Sequence, residues 1–555
     1  MLKCRYVYRD KNAGLYDEHG NKKELKAKAR LCVAGQNCPD CASGEVRVDA
    51  PTVQHSTLML FLHCVASFEW LSHWRNGDIS SAFLQGAESP GEPLYMKLPE
   101  RGLPGVEEGQ LLRLKRPVYG RPDAPRAWYE QLAGFIMNDM KFERNLLDPA
   151  LFISRHADGR PRGLIVLHVD DLMVATDGTR EVEQMVSKMC ERFPFGEWGL
   201  VEKENGGVTY CGKEIMVDTV DNEKVIRLRQ RGFVEGRLDL IPIKKERKAD
   251  PKAKATDEEV SDFRSVLGAL QWLSTQSRPD ISFMVNQLQK RVNQLEVKDL
   301  EVANQVVRIV KKNEMSITFR NLGKDVAVVS YHDAGLYNSL GVEIDEHDHD
   351  LLQSFCDKRL LHSQKGSVVC LVKTCDLERT SAVPMNVISW KTKSNKRILE
   401  SSFAAETHAA LMGYGNGHYL RVLMLEINCG SHAIQQPEGT DWYSQMKLVM
   451  ATDCRSLFDC VSRDAQSIGD KSNSIAVAII RQLCSCEKFP SGERAKLLWV
   501  PTRHQLADPM TKAGKAQCMQ ECIIRGTTTF HGISAKAMRD SRDNDISVKV
   551  CRRFS

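Results

Sequence analysis

Residues 163–178 read GLIVLHVDDLMVATDG. Leu164 to Leu167 and Leu172 to Ala175 are apolar runs of about four residues, rich in branched side chains, as short buried strands are. Between them stand two adjacent carboxylates, Asp170 and Asp171. A polar two-residue turn closing a hairpin is the bland explanation, because Asp is common in turns. Burying one ionised carboxylate is costly and a neighbouring one repels it, so positive charge is expected close by. The other explanation is a site for divalent metal.

A metal there needs oxygen ligands from a second strand, since Mg²⁺ prefers octahedral oxygen ligation shared with substrate phosphates. NGDISSAFLQG (76–86) offers Asp78, followed by Ile79, Ala82, Phe83 and Leu84. A lone Asp at a strand end is usually a cap or turn residue. Joined to the doublet, it completes a three-carboxylate site for two metals, suited to activating a hydroxyl and stabilising a leaving pyrophosphate.

The 555 residues suffice for about three or four domains. With 42% hydrophobic and 27% charged residues, the composition is that of a soluble globular protein. No window is apolar for long enough to cross a bilayer; the best, STLMLFLHCVASFEWL (56–71), carries His63 and Glu69 and reads as a packed helix. The start, MLKCRYVYRD, lacks the apolar core of a signal peptide. The 18 cysteines are accordingly expected as free thiols in a reducing compartment. CPDC (38–41) has the spacing of half a zinc site, without a second half. A net charge of +5 permits basic patches for nucleic acid but does not argue for them.

Residues 1–215 alternate strand-like and helix-like runs. The basic segment PIKKERKADPKAKATDEE (242–259) reads as an exposed linker. In DFRSVLGALQWLSTQSRPDIS (262–282), Phe263, Val266, Leu267, Leu270 and Leu273 recur at helical spacing, and Pro279 marks the helix end. A second helix is expected to about Lys312, and VAVVS (326–330) opens a third block. From about Lys515 the chain is polar, mixed in charge and expected to be disordered.

Nine words in order over about 250 residues carry a resemblance: KAKARLCVAG (26–35), VDAPTV (48–53), GDISSAFLQG, LYMKLPE (94–100), LKRPVYGRPDAPRAWYEQL (114–132), LLDPALFIS (146–154), HVDDLMVA, YCGKEI (210–215) and the 262–282 helix. Together they resemble the reverse transcriptase of copia-type LTR retrotransposons. The resemblance implies a right-hand polymerase in which Asp78, Asp170 and Asp171 hold two Mg²⁺ (Mn²⁺ as a substitute). Phe83 would lie under the incoming sugar and favour dNTPs. Lys28 and Arg30 would neutralise the triphosphate, and Gly120 would let backbone pass close to template and nucleotide. Two positions depart from the family. His168 stands where Tyr is usual, and Asp123 where Gln is usual. An ionised Asp only accepts hydrogen bonds and adds negative charge unless a cation compensates.

The third block holds four further acids. VAVVSYHDAG (326–335) reads as a strand ending in Asp333, and WKTKSNKRILESSFAAETHAALMG (390–413) as a strand followed by a helix with Glu406 in its first turns. KLVMATDCRSLFDCV (447–461) is a strand ending in Asp453, and LLWVPTRHQLADPMTK (497–512) carries His504 and Asp508. Each acid alone is most simply a cap or turn residue. In this order they resemble the ribonuclease H of the same family, which implies that Asp333, Glu406, Asp453 and Asp508 bind two Mg²⁺, with His504 aiding product release or moving a proton. An idle loop histidine is the alternative. The acidic run DEHDHD (345–350) reads as an exposed loop.

The expected architecture is α/β (α+β). It has fingers and palm in 1–240, a helical thumb or connection in 241–322, a ribonuclease H-like domain in 323–515 and a disordered tail in 516–555. Expected partners are an RNA template, a DNA primer, RNA–DNA hybrid and dNTPs, with no membrane; the expected location is cytoplasmic particles or the nucleus. Three readings compete with an active polymerase: a decayed relic, a host nucleic-acid-binding protein that keeps the fold, and a ribonuclease H riding on an inert palm.

Overall fold

The computed structural model describes residues 1–10, 12, 24–38, 44, 47–86, 93–203, 207–336, 362–379, 381–431, 445–462, 471–486, 497–513 and 516–530. Beyond Cys38, the CPDC word lies outside them, as does DEHDHD. The chain divides into two compact units, 1–58 with 70–211 and 59–69 with 212–555. The boundaries expected at 240 and 322 do not coincide with this division.

In the first unit, β1 (Cys4–Asp10) and β2 (Ala27–Val33) form an antiparallel ribbon. The main sheet contains β3 (Trp74–Ile79), β6 (Glu143–Arg144), β7 (Leu151–Arg155), β8 (Pro161–His168), β9 (Asp171–Thr176) and β10 (Phe195–Leu200), ordered β10-β3-β9-β8-β7-β6. A small pair joins β4 (Leu94–Lys97) to β5 (Leu111–Leu114), and β11 (Val208–Tyr210) closes the unit. After α1 (His55–Ser67), helices α2 (Ala124–Asn138) and α3 (Arg180–Arg192) cover one sheet face. Trp128, Leu132 and Ile136 of α2 and Val182, Val186 and Met189 of α3 meet Ile165, Leu167, Leu172 and Val174 there. The alternate residues Leu164, Val166, Met173 and Ala175 are equally buried, which explains why these strands read as continuous apolar runs.

The second unit begins with the antiparallel strands β12 (Lys213–Val220), β13 (Glu223–Arg229) and β14 (Ile317–Phe319). The two-turn α4 (Arg231–Arg237) leads to α5 (Asp257–Gln276), α6 (Ser282–Arg291) and α7 (Val297–Lys312). Phe263, Leu267, Leu270 and Leu273 form the buried stripe of α5, and Thr256 with Glu259 makes a capping box at its start. Residues 59–69 of the apolar 56–71 stretch belong to this unit: buried Ser67 accepts the Leu322 N–H at 3.1 Å.

A mixed six-stranded sheet follows, from β15 (Val326–Gly335), β16 (Gln364–Lys373), β17 (Ala382–Ser394), β18 (Leu448–Thr452), β19 (Leu497–Trp499) and β20 (Thr527–Thr529), ordered β19-β18-β15-β16-β17-β20. β15, β18 and β19 run parallel, and the remaining pairs are antiparallel. Helix α8 (Ser402–Cys429) packs on β15 and β16, with α9 (Arg455–Ser462) and α10 (Lys471–Cys486) after β18. The disorder expected from 516 is corrected for 516–530: α11 (Ala516–Arg525) buries Met519 and Ile523, and β20 pairs with β17. Apolar spacing inside a polar sequence decides that segment. Among the described residues, no helix is long and apolar enough to cross a membrane. Among the described residues, fourteen cysteines are free thiols.

Candidate metal centres

In the first unit, β8 and β9 form a hairpin whose last pair is His168 with Asp171, leaving Val169 and Asp170 as the turn. Val169 adopts φ 62°, as a two-residue hairpin turn requires, although a β-branched residue there costs about 1–2 kcal/mol. Trp128 Nε1 of α2 donates to the Val169 carbonyl at 2.7 Å and holds the turn in place. Across the sheet Asp171 pairs with Asp78 of β3, and the Asp170 carbonyl accepts the Ile79 N–H at 2.9 Å. Carboxylate oxygens of Asp78, Asp170 and Asp171 consequently lie within 4.8 Å of one another.

Burial, then the charges of Asp170, Asp78 and Glu197, pushes the Asp171 carboxyl up to about 7. Glu197 pairs with Asp78 from β10. The sequence reading missed it, because only strand pairing brings it to the doublet. Clustered oxygen donors, with the Asp171 carboxyl reluctant to ionise, suit a hard divalent cation, which would replace the proton on Asp171.

A cavity of about 570 Å³ opens beside these acids, lined by Asp78, Asp170 and Glu197 together with Lys26, Lys28 and Arg30 of the β2 segment. The Arg30 guanidinium lies 5.0 Å from the centre of the Tyr119 ring. Acids beside cations in one cavity suit a ligand bearing phosphates and accompanied by metal. Phe83, Gly120, Asp123 and His168 do not line it. Phe83 is half-buried against the helical core, its ring 5.3 Å from that of Tyr119. Gly120 has φ 96°, and a Cβ there would overlap the Val33 carbonyl, so strand packing alone requires glycine. Asp123 is buried in a two-point ion pair with Arg121, at 2.7 and 2.6 Å, so its charge is compensated in place. The His168 ring stands edge-on to Tyr210 at 6.5 Å.

The second unit gathers another set. Asp333 lies near the end of β15, Glu406 in the second turn of α8, and Asp453 directly after the parallel strand β18. Their oxygens also lie within 4.8 Å of one another. Asp333 and Glu406 are buried; burial, then the charges of Asp333 and Asp453, raises the Glu406 carboxyl, while burial, then Asp453 and Asp508, raises that of Asp333 against the pull of Lys512. Asp453 is raised by burial as well. Among the described residues, Glu406 Oε2 has no hydrogen-bond partner, an orphaned acceptor that suits a cation.

Asp508 and His504 stand apart from this trio. Asp508 opens a 3-10 turn after β19, and its Oδ1 lies 2.5 Å from the Lys512 ammonium, which is 3.7 Å from Asp333. Thr511 donates to Asp333 from the same turn. Gly366 of β16 makes room: a Cβ there would collide with Met510 and Thr511. Lys512 is the residue that sequence reasoning passed over, since one lysine four after an acid reads as an ordinary helical pair. His504 sits in a 3-10 turn, with the Arg503 Nε 3.1 Å from its Nε2.

Residues 2–238 match the reverse transcriptase (RNA-dependent DNA polymerase) family. The chain is similar to the retrovirus-related Pol polyproteins of three transposons. For RE1 of Arabidopsis thaliana, identity is 23% over 73% of this chain and 25% of that protein. For RE2 of the same plant it is 24% over 60% and 22%. For TNT 1-94 of Nicotiana tabacum it is 22% over 51% and 21%. The matched region spans about a quarter of the length of these relatives.

Proposed function

Because the chain is a copia-type retrotransposon Pol protein whose residues 2–238 carry its reverse transcriptase region, we propose that the first unit extends a DNA primer on an RNA template with dNTPs. The observation that carries this is the three-acid cluster of Asp78, Asp170 and Asp171, of which Asp78 and Asp170 share one cavity with Lys28 and Arg30. In this reading the main sheet is the palm, the β1–β2 ribbon belongs to the fingers and α5–α7 to the thumb or connection. Asp78, Asp170 and Asp171 would hold divalent metal, Mg²⁺ or Mn²⁺, which when bound activates the primer hydroxyl and stabilises the departing pyrophosphate. Lys28 and Arg30 place fixed positive charge toward the triphosphate, and Arg30 is braced on Tyr119. The Trp128 hydrogen bond fixes the turn that aims Asp170.

Primer extension by the purified chain on an RNA template with an annealed DNA primer tests this, beside Asp171→Asn. Extension that vanishes in the variant supports the reading. A folded chain that extends nothing with Mg²⁺ or Mn²⁺ points to a relic or a nucleic-acid-binding protein.

The Asp333, Glu406 and Asp453 cluster supports a second activity, cleavage of RNA in RNA–DNA hybrids by a ribonuclease H-like domain. These three would hold metal, and Asp508 would reach it by exchanging its contact with Lys512. Recognition would rest on phosphates and hybrid shape with little sequence preference. Loss of hybrid cleavage in Asp453→Asn, with primer extension retained, tests it.

A further inference from the structure

The C-terminal sheet carries a pairing that works against its own stability. Lys365 of β16 lies directly opposite Lys393 of β17, and Lys391 lies opposite Ser367 on the next rung of the same face. Like charges directly opposite on neighbouring strands repel, and other pairings would be more stable. Lys365 is half-buried and its ammonium is lowered by burial and by Lys393 and Lys391; the charges acting on it are both positive. Lys391 and Lys393 are exposed. Among the described residues, none of the three lysines forms an ion pair with an acid.

The patch has a defined place. Asn416 of α8 donates to Ser367 Oγ at 2.7 Å, so Ser367, Lys365 and their cross-strand partners share the α8 face of the sheet. On the other side of β16, Asp333 is paired with Gly366 and Ala334 with Lys365. His408, two residues beyond Glu406, feels Lys365 and Arg397. The unpaired basic stripe thus lies on the face covered by α8, the helix that carries Glu406, one residue along β16 from the Asp333–Gly366 pair, which meets Thr511 on the opposite face.

We propose that Lys365, Lys391 and Lys393 form a seat for the phosphodiester backbone of the nucleic-acid duplex that the Asp333–Glu406–Asp453 centre acts upon. The inference rests on the nuclease reading of that centre. Residues two apart on a strand are about 6.6 Å apart, comparable to the spacing of successive phosphates along one strand. A line of phosphates would relieve the Lys365–Lys393 repulsion and release counterions. A small acidic metabolite would use one of these cations and leave the others uncompensated.

The test uses the full chain and a labelled RNA–DNA hybrid of about 20 base pairs, comparing wild type with a variant carrying Lys365→Gln, Lys391→Gln and Lys393→Gln. The variant is expected to raise KM for hybrid cleavage by about tenfold at physiological salt, with kcat within about twofold. The dependence of log KM on log salt should flatten by about two. Primer extension serves as the internal control and should be unchanged. Lys365→Gln alone should unfold at the wild-type temperature or about 1 °C higher, because it removes a repulsion. Unchanged KM and salt dependence in the triple variant overturn the seat. If the wild-type chain cleaves no hybrid, the nuclease reading fails separately; the seat is then judged by hybrid binding, where an unchanged salt slope overturns it.

Discussion

Two trios of acids sit in this chain, each with carboxylate oxygens within 4.8 Å of one another, yet their surroundings differ. In the first unit the trio is half-exposed at an antiparallel hairpin, and the charges acting on Asp171 are all negative. In the second unit the trio is formed where two parallel strands end against a helix, is largely buried, and has the Lys512 ammonium 3.7 Å from Asp333. The comparison shows two ways to keep carboxylates together. The open site can rely on solvent, a proton and cations from the cavity; the closed site carries a permanent counterion, without which its burial would be costly.

The largest expected effects separate the two trios. Asp171→Asn should lower primer extension at least about a hundredfold and leave hybrid cleavage intact, while Asp453→Asn should do the reverse; removal of one metal ligand has that scale. Both activities falling together in either variant would break the comparison. Next comes Lys512→Met, which leaves Asp333 and Asp508 without their ammonium. A cost of about 2 kcal/mol is expected in thermal unfolding without metal, discounted from the fully buried case because Lys512 is 20% exposed. Millimolar Mg²⁺ should recover most of the loss, and no recovery would show that Lys512 and metal do not share this pocket of charge.

A smaller effect distinguishes the sites by pH. The Asp171 carboxyl is raised to about 7 from an ordinary value near 4, so the folded unit holds that proton more tightly than the unfolded chain. The contribution to stability is full below about pH 4 and is lost as pH rises toward 7. Metal displaces the same proton, so Mn²⁺ affinity at this centre should climb about tenfold per pH unit between roughly pH 5 and 7 and then level. Titration of the Asp453→Asn chain, followed by Mn²⁺ paramagnetic resonance, reads it; a flat profile would contradict the buried-proton account. The smallest effect is local. Val169→Asn places a residue that tolerates the left-handed turn where valine is strained, and should raise stability by up to about 1 kcal/mol in denaturant unfolding.

Much of the first site was legible because its parts are adjacent or periodic. The Asp170–Asp171 doublet between two apolar runs specifies a hairpin, and the α5 stripe repeats at helical spacing. Glu197 was not legible, since its place beside Asp78 comes from the pairing of β10 with β3, residues far apart in the chain. Phe83, Gly120 and Asp123 illustrate the opposite case: their types invite a ligand, while the structure accounts for each by packing or by the Arg121 pair. The tail expected from 516 hid α11 and β20, because a short amphipathic helix with few apolar residues carries a weak signal until it has a surface to cover.

The sequence by itself determined the strands, the helix stripes, the order of the acids and the family likeness, since these depend on local periodicity and on short words standing in a set order. Only the tertiary structure decided which charges meet. It joined Asp123 to Arg121 and Asp508 to Lys512, set Glu197 beside the first trio, and faced Lys365 with Lys393. Electrostatic energy depends on distance and burial, and neither exists until strands remote in sequence are paired.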